Sequence, residues 1–114
     1  MILHAVLFRP IDSLSDAERS QILQAVTAAV TNCPTVRSAR VGRRVRHGLP
    51  GYEQTMPEQY EYALLLEFDD VEGLKAYLTH PAHGPVGGFF ASAGSAALAY
   101  DYETVPLAEA QRLL

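Results

Sequence analysis

In Tyr60-Glu61-Tyr62-Ala63-Leu64-Leu65-Leu66-Glu67-Phe68 the side chains alternate at a period of two. Tyr60, Tyr62, Leu64, Leu66 and Phe68 share one face and Glu61, Ala63, Leu65 and Glu67 the other, which is the pattern of a β-strand with apolar residues on both sides. Asp69-Asp70 follows and suits a helix cap. The next helix carries Val71, Leu74, Tyr77 and Leu78 on one side, so Tyr77 turns inward. It breaks in Tyr77-Leu78-Thr79-His80-Pro81-Ala82-His83, because Pro81 lacks a backbone N–H and disfavours helical geometry at His80. One helix therefore ends near Thr79 and another begins. Gly84, Pro85, Gly87 and Gly88 crowd this second piece, so the expectation is an irregular turn and then a helical run through Phe89, Phe90 and Ala91.

Upstream, the apolar run over residues 2–9 reads as a strand bounded by Pro10, with Ile2, His4, Val6 and Phe8 on one face. Ser15-Asp16-Ala17-Glu18 is a capping box, followed by Ile22, Leu23, Val26, Ala29 and Val30 at helical spacing until Pro34. Residues 36–46 alternate as a strand with a wet face and hold Arg37, Arg40, Arg43, Arg44 and Arg46, which suit an anionic ligand or acidic surface but are more simply a solvated or salt-bridged strand face. Residues 47–59 form a polar loop with His47 and Tyr52, long enough for a lid or for a mobile insertion. Leu98, Tyr100 and Tyr102 mark a last strand over residues 96–103, and leucines in the tail over 104–114 need a surface to cover.

The order β-α-β-β-α-β is the ferredoxin-like arrangement, an α+β fold with an antiparallel sheet backed by helices on one face. Its other face would expose Leu, Ala and Tyr side chains unless a second copy covered it, which predicts a homodimer.

Composition narrows the rest. A chain of 114 residues with 48% hydrophobic and 19% charged residues is one globular domain. The net charge of -4 argues against nucleic acid, and no apolar run reaches the roughly 20 residues a membrane span needs. The single Cys33 and the absence of a leader pattern fit a cytoplasmic protein, with Cys33 a small buried thiol at a helix end. His83, expected in the first turn of the second helix, should be held neutral there, and Tyr77 one turn earlier offers a phenol. Core packing explains the same rings. His80 and His83 would need two further ligands to hold a metal, so neither metal nor organic cofactor is expected.

The start Met1 to Phe8, the strand Tyr62 to Phe68, the motif Tyr77-x-x-His80-Pro81-x-His83 and the ending Tyr100-Asp101-Tyr102 together resemble the stress-responsive A/B barrel domain, the Dabb family of dimeric α+β barrels. The resemblance covers about residues 1–103 and implies the homodimeric barrel. Most members of that family have no established activity. A plant polyketide cyclase in it uses a Tyr and a His as an acid–base pair in an aldol cyclisation without a cofactor, and the matching positions here are Tyr77 and His83. His4 and His80 match two further histidines of its pocket, while Tyr62 replaces a third, which makes His4, His80 and Tyr62 the implied substrate-binding residues. Three functions stay open at this point: a cofactor-independent cyclase- or lyase-type enzyme acting on a small carbonyl compound, a non-catalytic stress-related binding module, and a monooxygenase of the barrel superfamily.

Overall fold

A computed structural model describes residues 1–114. In chain order the elements are β1 (Ile2–Pro10), α1 (Asp16–Asn32), β2 (Val36–Arg43), β3 (Tyr62–Phe68), α2 (Val71–Leu78), α3 (Gly84–Ala93) and β4 (Gly94–Glu103). Short 3-10 turns lie at Glu53–Thr55, Pro81–His83 and Leu107–Leu113. The strands form one antiparallel sheet in the order β2-β3-β1-β4, the ferredoxin-like topology. β1 and β3, the two strands apolar on both sides, are its central pair, in register from Ile2 opposite Phe68 to Phe8 opposite Tyr62. Central strands have no wet edge, which accounts for their composition.

Local chemistry sets the helices. The Ser15 hydroxyl accepts from the Glu18 N–H at 3.1 Å and the Glu18 carboxylate from the Ser15 N–H at 3.2 Å, so the capping box starts α1 as its residues require. Asp70 caps α2 by accepting from the Gly73 N–H at 2.8 Å. The core lies where the C-terminal half of α1 and the inner side of α2 meet the sheet: Leu66, Phe68, Ala29, Cys33, Leu74 and Tyr77 are all buried there. Cys33 is the buried thiol its position implied, with Sγ 3.2 Å from the Thr35 hydroxyl.

Several boundaries differ from the sequence reading. α3 is one helix from Gly84 to Ala93, with Pro85 in its first turn, rather than an irregular turn and a later run. Burial of Val86 and Ala93 and the packing of Phe90 on Phe8, ring centroids 5.6 Å apart, outweigh the roughly 1 kcal/mol of helix propensity lost at each interior glycine. β2 ends at Arg43 instead of residue 46, because beyond the Arg43–Tyr62 pair the ladder continues by a single backbone bond, from the Arg44 N–H to the Glu61 carbonyl at 2.8 Å. Arg46 reaches instead for the Glu61 carboxylate, Arg37 for Asp69 at 2.8 Å, and Arg44 for Gln59, so most of the basic cluster is bonded within the chain.

The helix-free face is bare. Leu3, Ala5 and Leu7 of β1, Ala63 and Leu65 of β3, and Leu98, Tyr100 and Tyr102 of β4 share it by register, with Leu65, Tyr100 and Tyr102 36%, 55% and 52% exposed. The chain is also flat, 43 × 42 × 18 Å, with a radius of gyration of 15.5 Å against about 13 Å for a compact domain of this length. No helix is long and apolar enough to cross a membrane.

Candidate functional site

The other face of the sheet is covered incompletely. The C-terminal half of α1 packs on the core, but its N-terminal half stands off, and between it, α3 and β1 lies a partly open cavity of about 640 Å³. Val6 and Phe8 of β1 form part of its floor, Ile22 and Val26 of α1 its roof, and Val86 and Phe90 of α3 a side wall. The apolar stripe read along α1 therefore divides between core and cavity. The walls are almost wholly hydrophobic, and the polar groups that interrupt them gather at two places.

One cluster is formed by His4, Tyr77 and His83. β1 places His4 on its helix side, and α2 ends one residue past Tyr77, so the Pro81–His83 turn swings His83 back over the phenol. The Tyr77 ring centre lies 6.0 Å from that of His4 and 5.0 Å from that of His83, both edge to face. Tyr77 is only 1% exposed, and its hydroxyl has no hydrogen-bond partner in the chain. A buried hydroxyl left unpaired costs about 1–3 kcal/mol, and folded proteins carry few such groups. Burial pushes the Tyr77 pKa above its ordinary 10.0, and the neighbouring Cys33 acts in the same sense, so the phenol keeps its proton as a donor.

His83 is held below the ordinary imidazole value of 6.5, first by burial and then by the charge of His4. The N-terminal end of α3, whose first residue follows it, acts in the same sense, as its place at the proline junction implied. Behind the cluster, the Nδ1–H of His4 donates to an Asp101 carboxylate oxygen at 2.6 Å. Asp101 faces His4 across the β1–β4 ladder. The bond orients the His4 ring and leaves Nε2 without a partner in the chain.

The second cluster lies further along the floor. Tyr62 lines the cavity, and its hydroxyl accepts from the Arg19 guanidinium at 3.4 Å. Of the residues singled out from sequence, His4, Tyr62, Tyr77 and His83 thus border one cavity. His80 does not. Its Nδ1 accepts from the Ala82 N–H at 3.0 Å and caps the 3-10 turn that carries His83, so its part is to shape the junction. No residue of the 47–59 loop lines the cavity; the loop folds on itself where Glu53 accepts from the Gly48 N–H at 2.6 Å. No group of three His, Cys, Asp or Glu side chains converges around His80 and His83.

Sequence reasoning missed Asp101 and Arg19. For Asp101 the signal was present: with Leu98, Tyr100 and Tyr102 on the bare face, strand alternation puts Asp101 on the helix side with His4. For Arg19 there was none, because its partner lies 43 positions away.

Comparison with known proteins agrees with this architecture. Olivetolic acid cyclase from Cannabis sativa is 22% identical over 99 residues, which is 87% of this chain and 92% of the cyclase. Hydroxynitrile lyase from Passiflora edulis superposes with a TM-score of 0.74 at 18% identity, covering 92% of this chain and 96% of the lyase. A dimeric ferredoxin-like protein of unknown function from Jannaschia sp. CCS1 superposes with a TM-score of 0.68 at 25% identity, covering 90% and 98%. The model of the stress responsive A/B barrel domain matches residues 2–104, so with the fold, register and junction described above, the chain belongs to the stress responsive A/B barrel (Dabb) family.

Proposed function

We propose that this protein is a homodimer in which each chain binds a small apolar carbonyl compound in its own cavity and performs cofactor-free acid–base chemistry on it. The observation that carries the reading is the Tyr77 hydroxyl, protonated, buried and without a partner, on the wall of an apolar cavity between two imidazoles. A carbonyl oxygen accepting from Tyr77 would satisfy that hydroxyl. Neutral His83 then takes a proton from the carbon next to the carbonyl, and the electron pair of the broken C–H bond moves onto the oxygen as an enolate held by Tyr77. Attack of the enolate carbon on a second carbonyl forms a C–C bond, and the imidazolium returns its proton to the new alkoxide. His4, oriented by Asp101, and Tyr62 position the ligand; His80 contributes only the turn.

Support for this reading also comes from the relatives, a cyclase and a lyase. The homodimer is supported by the bare sheet face, the flattened shape and the dimeric relative. The test is deuterium exchange next to the carbonyl of methyl octyl ketone in D2O, followed by NMR. The wild-type protein accelerates it, and Tyr77→Phe and His83→Ala each abolish the acceleration while retaining a folded dimer. If the wild type does no better than buffer, yet a panel of apolar compounds raises its melting temperature, the chain is a binding module and not an enzyme.

A further inference from the structure

Arg19 is the one formal cation in the cavity wall. Arg9, Arg37, Arg46 and Arg112 each pair with a carboxylate of the chain, whereas Arg19 has none within ion-pair distance. Its side chain, half-buried, makes one hydrogen bond, to the Tyr62 hydroxyl at 3.4 Å. A guanidinium carries five donors arranged as a fork that matches a carboxylate. Because the Tyr62 oxygen accepts from Arg19, its own O–H is free to donate. The two side chains together present a cation and a neutral donor to one anion.

Register gives the distance from this pair to the other cluster. Tyr62 stands opposite Phe8, four positions along β1 from His4. At the rise of a strand, four positions span about 13 Å. The two ends differ in charge, since the Asp101 carboxylate backs His4 and disfavours a second anion there, while at the other end Arg19 lines the cavity and no Asp or Glu does. Between them the walls are apolar.

We infer that the cavity takes an elongated anionic ligand, a medium-chain carboxylic acid whose carboxylate sits on Arg19 and Tyr62 and whose far end reaches Tyr77 and His83. This rests on the proposed function for the carbonyl at the far end, but the carboxylate anchor stands on its own geometry. A chain of that length places the reactive carbon by the distance between its two ends, so ligands too short to span both clusters bind without being aligned.

Isothermal titration with decanoate and with its uncharged ester, methyl decanoate, tests the anchor. The wild-type protein prefers decanoate by about tenfold, the effect of one charge-assisted contact at a half-exposed site. Arg19→Gln abolishes that preference by weakening decanoate, Arg19→Lys keeps part of it, and Tyr62→Phe reduces it. Equal affinity of the wild type for the two probes, no binding of either, or a preference that survives in Arg19→Gln overturns the inference, the last by showing that other basic residues hold the anion. Exchange on methyl octyl ketone, which has no carboxylate, scores the acid–base reading separately.

Discussion

Tyr77 sits where its hydroxyl weakens the fold and serves the cavity. Replacing it by Phe removes an unpaired buried polar group and keeps the ring that packs on Phe68 with centroids 5.6 Å apart. Tyr77→Phe should therefore leave stability unchanged or raise it by up to about 1 kcal/mol, measured by urea unfolding, while carbonyl exchange is lost. A purely structural Tyr77 would show no such opposition of effects. His83 gives the matching pH dependence. The unfolded chain takes up a proton near 6.5 before the folded one does, so the stability His83 contributes is complete above 6.5 and is lost as pH falls through 6.5 toward the lower folded value. The acid limb of exchange should fall below 6.5 for the same reason. His4→Gln removes a repelling charge and moves the His83 titration, followed by its ring NMR signals, upward but not fully to 6.5, since burial is the larger cause. Both residues were legible in the sequence, Tyr77 from the apolar stripe of its helix and His83 from the proline junction. Alternation puts Asp101 on the same face as His4, but that the two stand opposite each other needs the strand register, which the sequence does not carry.

Among the elements, α3 departs most from its composition. Propensity disfavours a helix with glycines at 84, 87 and 88, and the fold imposes one because Val86, Phe90 and Ala93 have a sheet to pack against. A Cβ built on Gly88 meets nothing within 4 Å. Gly88→Ala should accordingly stabilise the protein by about 0.5–1 kcal/mol in thermal or urea unfolding, with no change in ligand affinity. Gly87 has the same open surroundings but lines the cavity, so a methyl group there intrudes on the ligand's space. Capping and alternation announced α1, β1 and β3 within a residue or two, since those signals act within one turn or one strand. The ends of β2 and α3 depend on what lies opposite, and local sequence does not carry that information.

Over the whole molecule, the mismatch between shape and length points to a missing neighbour. Leu65, Tyr100 and Tyr102 lie on a face that nothing in the chain covers, and Leu107 and Leu114 of the tail are 91% and 97% exposed. Leu65→Arg, placed at the middle of that face, should convert a solution mass of two chains into one by light scattering, because burying an unpaired charge there costs several kcal/mol. The need for a partner was legible from strand composition alone, since alternation without a polar face leaves apolar side chains on both sides.

The cavity and the bare face lie on opposite sides of a single sheet one strand layer thick. Two chains joined through their bare faces would hold their chambers back to back, each opening outward and built wholly from its own residues. Occupancy of one would then be invisible to the other: titration should follow a simple hyperbola with one ligand per chain, and a pair with one disabled member should retain half its capacity.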